Sequence, residues 1–145
     1  MFQNNSALPD FNIRDAFCLE EKTEKDSNKQ ILCVEDHEDT CELYSLLLPE
    51  YDFTFAHTMA DALALVEKRN FDLYMMDNWL PDGSGTDLSR KIRALYSETP
   101  IVFISGVTRT KEKQEALDAG VSEYLTKPCD PDELQKVVKE LIEKN

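Results

Sequence analysis

Basic residues are scarce in this sequence: 16 lysines and arginines face 29 aspartates and glutamates across 145 residues, a formal net charge of −13. That balance opposes nonspecific contact with nucleic-acid phosphates and with anionic membrane surfaces. No apolar run approaches the roughly 20 residues that a membrane-spanning helix needs. The amino end, Met1-Phe2-Gln3-Asn4-Asn5, lacks the basic segment and apolar stretch of a secretory signal, so a cytoplasmic location is expected. The four cysteines (Cys18, Cys33, Cys41, Cys129) form no C-x-x-C pair and have no histidine at zinc-site spacing. Cys33 and Cys41 lie in apolar surroundings and read as small hydrophobes. There is no Walker loop, no G-x-S-x-G elbow, no internal repeat and no low-complexity tract.

What is present divides into two parts. Residues 1–29 form an amino-terminal extension: an apolar-studded stretch (Leu8, Phe11, Ile13, Phe17, Leu19) and then a highly charged linker from Glu20 to Lys29. The apolar stretch is a candidate to dock on the domain or on a partner. From residue 30 to 145 a single domain is expected, long enough to bury a real core.

Within that domain, short continuous apolar runs alternate with segments of helical period. Ile31–Val34, Asp52–Ala56, Phe71–Met76, Ile101–Ile104 and Tyr124–Thr126 read as strands, mostly of the kind buried on both faces. Between them, helices are expected from Asp39 to Leu48, after the capping pair Thr58/Asp61, through Leu88, Ile92 and Leu95, and from Thr110 to Ala119. The last opens at Asp130-Pro131 and turns Leu134, Val137, Val138 and Leu141 inward. Gly120 suits a left-handed helix end. Parallel strands need crossover connections, so this alternation predicts an α/β fold: a doubly wound, five-stranded parallel sheet of (βα)5, flavodoxin-like type, in order 2-1-3-4-5.

Such sheets bind ligands beyond the carboxyl ends of their strands, at the switch point between the first and third. The first strand ends in Glu35-Asp36 and the third in Asp77. The fourth ends in Ser105 and the fifth in Lys127-Pro128. Carboxylates converging there repel one another unless a cation joins them, and Mg²⁺ suits oxygen donors of this kind. Lys127 offers a point charge to a phosphate oxygen and Ser105 a hydrogen bond. His37, beside the acids, reads as a solvated loop residue, and His57 as structural or exposed, away from the site.

The motifs ILCVEDHE, LYMMDNWLPDGSG, VFISG and YLTKP, in that order, make the stretch from Gln30 to Lys144 resemble the receiver domain of two-component response regulators. The resemblance implies that Asp77 is the phosphoacceptor, charged by a phosphohistidine on a histidine kinase or a histidine phosphotransfer protein. It implies Mg²⁺ held by Asp36, Asp77 and the backbone carbonyl of Trp79, with Glu35 helping through water. Ser105 and Lys127 are then the phosphate-contacting hydroxyl and ammonium. Ser105 and Tyr124 would be the switch residues, and Lys127-Pro128 a site where cis peptides are common. The face made by the fourth helix, fifth strand and fifth helix would change on phosphorylation and meet a downstream protein. Enzyme activity beyond self-phosphorylation and dephosphorylation is not expected, nor direct contact with nucleic acid or membrane. Since no output domain follows Asn145, a stand-alone protein is expected. The alternatives are a receiver excised from a larger hybrid kinase or regulator, and a docking receiver that is never phosphorylated. A haloacid-dehalogenase-like phosphatase would want a second Asp where Trp79 stands.

Overall fold

The computed structural model describes residues 28–106 and 109–144; Cys18 and the apolar residues assigned to the extension lie outside them. Five strands form the main sheet: β1 (Gln30–Val34), β2 (Asp52–Ala56), β3 (Leu73–Met76), β4 (Ile101–Ser105) and β5 (Glu123–Thr126). All neighbours are parallel and the order is β2-β1-β3-β4-β5, as the alternation predicts. The four crossovers run through α1 (Glu38–Leu47), α2 (Met59–Lys68), α3 (Gly85–Leu95) and α4 (Thr110–Asp118), and α5 (Pro131–Glu143) follows β5.

Alternate strand residues feed two separate cores, because successive side chains point to opposite faces. On one face Leu32, Val34, Tyr74, Met76, Ile101 and Phe103 pack with Ala62 and Val66 of α2, Leu88 and Ile92 of α3, and Ala116 of α4. On the other, Ile31, Cys33, Leu73, Met75, Val102 and Ile104 meet Tyr44 of α1 and Leu134, Val138 and Ile142 of α5. Each central strand is thus covered twice, which is why its sequence reads as an unbroken apolar run.

Helix starts follow their cap residues. Thr58 accepts the Asp61 amide at 3.1 Å, and Asp130 accepts the Asp132 amide at 3.0 Å with Pro131 opening α5. Gly120 takes φ +102°, the left-handed region, beyond the end of α4.

The helix expected through Leu88, Ile92 and Leu95 is α3, with Leu95 52% exposed in its last turn. Other expectations need correction. In α5 the fully inward positions are Leu134, Val138 and Ile142, while Val137 and Leu141 are only partly buried. Phe71 is buried but precedes β3, which starts at Leu73. The turn after Asp77 contains a small antiparallel hairpin, Trp79–Leu80 against Gly83–Ser84.

The sequence also gave no sign of what Arg93 does. Its guanidinium leaves α3 and donates to Gly120 O at 3.0 and 2.8 Å, Tyr96 O at 3.1 Å and Thr99 O at 2.6 Å. It ties the end of α3 to the turn that precedes β5. Arg93→Met keeps the apolar stem and leaves three carbonyls short of a donor. Unmade bonds of this kind cost about 1–3 kcal/mol, so the urea midpoint should fall by the equivalent; an unchanged midpoint would show the carbonyls equally satisfied by water.

Candidate functional site

The parallel register of β1 and β3 pairs Val34 with Met76, and the Asp77 amide continues the ladder to Val34 O at 3.1 Å. Residues just past these strands therefore emerge side by side. Glu35 is 1% exposed and Asp77 9%. Between them lies Lys127, delivered by β5: its ammonium donates to Asp77 Oδ2 at 2.9 Å and to Glu35 Oε1 at 3.2 Å. The backbone at this strand end is fixed as well, Lys127 N donating to Ser105 O at 2.9 Å. Burial is the largest single influence on the ammonium and would lower its pKa. The hydrogen bonds and charges of Asp77 and Glu35 together outweigh it, and the net shift is upward. Lys127 is therefore charged at neutral pH.

Glu35 is held on every side. Its second oxygen, Oε2, accepts the His37 amide at 3.2 Å and faces His37 Nδ1 at 3.1 Å. Its backbone carbonyl lies 2.8 Å from His57 Nδ1. His57 is thus structural, as expected, but at the site rather than away from it: β2 neighbours β1, and their ends coincide. Asp36 stands on the rim, and its Oδ1 lies 3.3 Å from the mostly exposed ring of His37. His37 is solvated as expected, yet its ring also engages both acids.

The loop after Asp77 is braced by groups that sequence reasoning missed. Asn78 is buried, and its Oδ1 accepts from both the amide and the hydroxyl of Thr86, each at 3.1 Å. Gly85 donates its amide to Asn78 O at 2.8 Å. A Cβ on Gly85 would stand 2.5 Å from Asp77 O, so only glycine allows α3 to begin this close to Asp77. On the far side of the loop, the Asp82 carboxylate accepts the amides of Met59 at 2.7 Å and Ala60 at 3.0 Å, at the start of α2. Those bonds hold the Asp82 carboxyl below its ordinary pKa. A capping partner some twenty residues away leaves no pattern in sequence.

The remaining assigned residues are placed as follows. Trp79 is 59% exposed, and its amide reaches Asp77 Oδ1 at 3.3 Å. Ser105 is fully buried at the end of β4. Tyr124 packs partly buried, its ring 5.8 Å from that of Phe103 and 5.6 Å from the Lys113 ammonium. Lys127-Pro128 is cis.

The donors fit a hard divalent cation. Glu35, Asp36 and His37 each bring one potential ligand atom within 4.8 Å of the others, and Asp36 stands on the rim where water can reach, the setting in which Mg²⁺ is usually held.

No described helix is long and apolar enough to cross a membrane. Residues 31–139 match the family described as the response regulator receiver domain. The transcriptional regulatory protein DltR of Streptococcus agalactiae is 34% identical over 107 residues, 72% of this chain and 48% of its own. The chain thus spans about half the length of that curated relative. Among solved structures, a CheY-like receiver domain protein from Methanospirillum hungatei is 29% identical, with a TM-score of 0.78, covering 81% of this chain and 96% of its own. The receiver domain of the sensor histidine kinase PA1611 from Pseudomonas aeruginosa was solved with a magnesium ion coordinated in its active-site cleft. It is 27% identical, with a TM-score of 0.73, covering 81% of this chain and 99% of its own. Fold, strand-end acids and sequence agree: the chain belongs to the response regulator receiver family, the phosphoryl-accepting modules of two-component signalling.

Proposed function

We propose that Asp77 is the residue that accepts the phosphoryl group, within a unit spanning residues 30–145. The observation that carries this reading is the Lys127 ammonium, within 2.9 Å of Asp77 and 3.2 Å of Glu35. It draws together two carboxylates that would otherwise repel, and it stands where it can meet a phosphate oxygen carried by Asp77. Asp36, Asp77 and the Trp79 backbone carbonyl would hold Mg²⁺, with Glu35 reached through water. When bound, that ion offsets the negative charge between the carboxylate and the incoming group.

The rest is positioning, since phosphoryl transfer leaves the protein little covalent chemistry of its own. The donor is a phosphohistidine on a histidine kinase or phosphotransfer protein: an Asp77 oxygen forms the new bond to phosphorus as the bond to the imidazole nitrogen breaks. Lys127 steadies the oxygens of the transferred group, and Ser105 supplies a hydroxyl at the end of the neighbouring strand. Tyr124 follows Ser105, and the face of α4, β5 and α5 changes for a downstream protein. Phosphorylation thereby biases a two-state equilibrium.

Two measurements test this. Incubation of the full chain with acetyl phosphate and Mg²⁺ should add one phosphoryl mass, lost in Asp77→Asn and by chelation of the metal. A parent that gains no mass would favour the docking receiver, while gain retained by Asp77→Asn would move the acceptor elsewhere. Separately, the exposed indole of Trp79 sits two residues from the acceptor, where bulk obstructs attack by water. The phosphorylated half-life of Trp79→Asn should be shorter than the parent's; equal half-lives would remove Trp79 from the account.

A further inference from the structure

α1 carries apolar residues on two sides. Cys41 and Tyr44, with Leu48 just beyond the helix, are buried, while Leu43 is 50% exposed and Leu46 69%. A surface helix ordinarily has one apolar stripe, turned to the core. Leu46 and Leu47 follow Leu43 by three and four residues, so the three side chains are neighbours on the helix surface. Beside them lies a groove of about 230 Å³ between α1 and the start of α5, lined by Leu43, Tyr44, Leu47, Pro128, Cys129 and Leu134 and reaching Lys127. Gln135 Nε2 of α5 donates to Leu47 O at 2.8 Å and ties α5 to the last turn of α1.

The residues before β1 stand at this same end of α1. Asn28 Nδ2 donates to Asp52 Oδ1 at 3.0 Å, and the Asp52 amide donates to Lys29 O at 3.0 Å. The Tyr51 amide, one residue earlier, donates to Leu48 O at 3.3 Å. The apolar stretch of residues 8–19 is joined to Asn28 by eight charged or polar residues, 20–27. Eight residues span at most about 28 Å, against about 15 Å for the ten residues of α1. The stretch can therefore reach any level of the groove. On so short a tether its effective concentration is on the order of millimolar. A contact too weak to hold a separate molecule is then populated, which favours this segment over a free partner.

We infer that residues 8–19 dock in the groove between α1 and the start of α5, with Phe11, Ile13 and Phe17 covering Leu43, Leu46 and Leu47. Asp10, Arg14 and Asp15 are the only charged side chains in the stretch, so few ions need be kept in water as the apolar side chains are covered. The docked segment stands beside Lys127 and narrows the approach to the strand-end acids from that side.

The test uses the full chain with Cys129→Ser and a nitroxide on Cys18, the native thiol of the segment; Cys33 and Cys41 are buried and escape labelling. Docking should broaden the amide signals of residues 43–47 and Leu134. Those of Leu95 and Leu117, on helices packed against the opposite face of the sheet, should stay sharp. Leu43→Gln combined with Leu46→Gln changes only exposed positions, so the fold is kept. It should weaken docking by about tenfold, the loss expected when two leucines are no longer covered, and relieve the broadening. Broadening that survives this double substitution, or that spreads evenly over the domain, overturns the inference. So does an absence of broadening, which leaves the groove to a separate partner. Broadening seen only between a labelled chain and an isotopically distinct copy overturns it too, since the occupant is then a second molecule.

Discussion

Everything at the carboxyl edge of this sheet depends on one ammonium group shared between two buried carboxylates. Two like charges about 4 Å apart repel by roughly 4 kcal/mol at the effective dielectric of a protein surface. Glu35 and Asp77 are both buried and lie on either side of Lys127, so without that cation the ends of β1 and β3 would be electrostatically unfavourable neighbours. The sheet order makes this solution possible. Lys127 arrives from β5, two strands from β3, and its backbone amide is bonded to the Ser105 carbonyl at the end of β4. The acids and the base come from sequence positions 92 and 50 residues apart, brought together by topology alone.

The main elements were legible because their causes are local. A strand covered on both faces reads as a near-continuous apolar run, as Ile31–Val34, Leu73–Met76 and Ile101–Ile104 do. Asp77, Glu35 and Lys127 could be found because the end of such a run is visible and the switch-point rule says which ends meet. Helical period shows which side of a helix is apolar, not how far along the helix the core extends, so the exposure of Leu95 at the end of α3 was not readable. The hairpin of Trp79–Leu80 and Gly83–Ser84 is too short to carry any alternation.

Contacts between loops distant in sequence stayed hidden for a different reason. Arg93, Asp82, Asn78 and His57 all satisfy backbone groups or side chains on another element, and such bonds depend on final geometry rather than on a residue pattern. His57 shows this well. Its place at the end of β2 was readable, but its contact with the Glu35 carbonyl required knowing that β2 and β1 finish level.

The segment that carries Asp77 is anchored at both margins. Asp82 grips the start of α2, while Asn78 and Gly85 are bonded into the start of α3. Rotating the Asp77 main chain would mean levering two whole helices against a packed interior. This flank is therefore a fixed abutment, and under the proposed function a displacement set off at Asp77 would have to be taken up on the opposite flank, where β4 ends in Ser105 and β5 carries Tyr124.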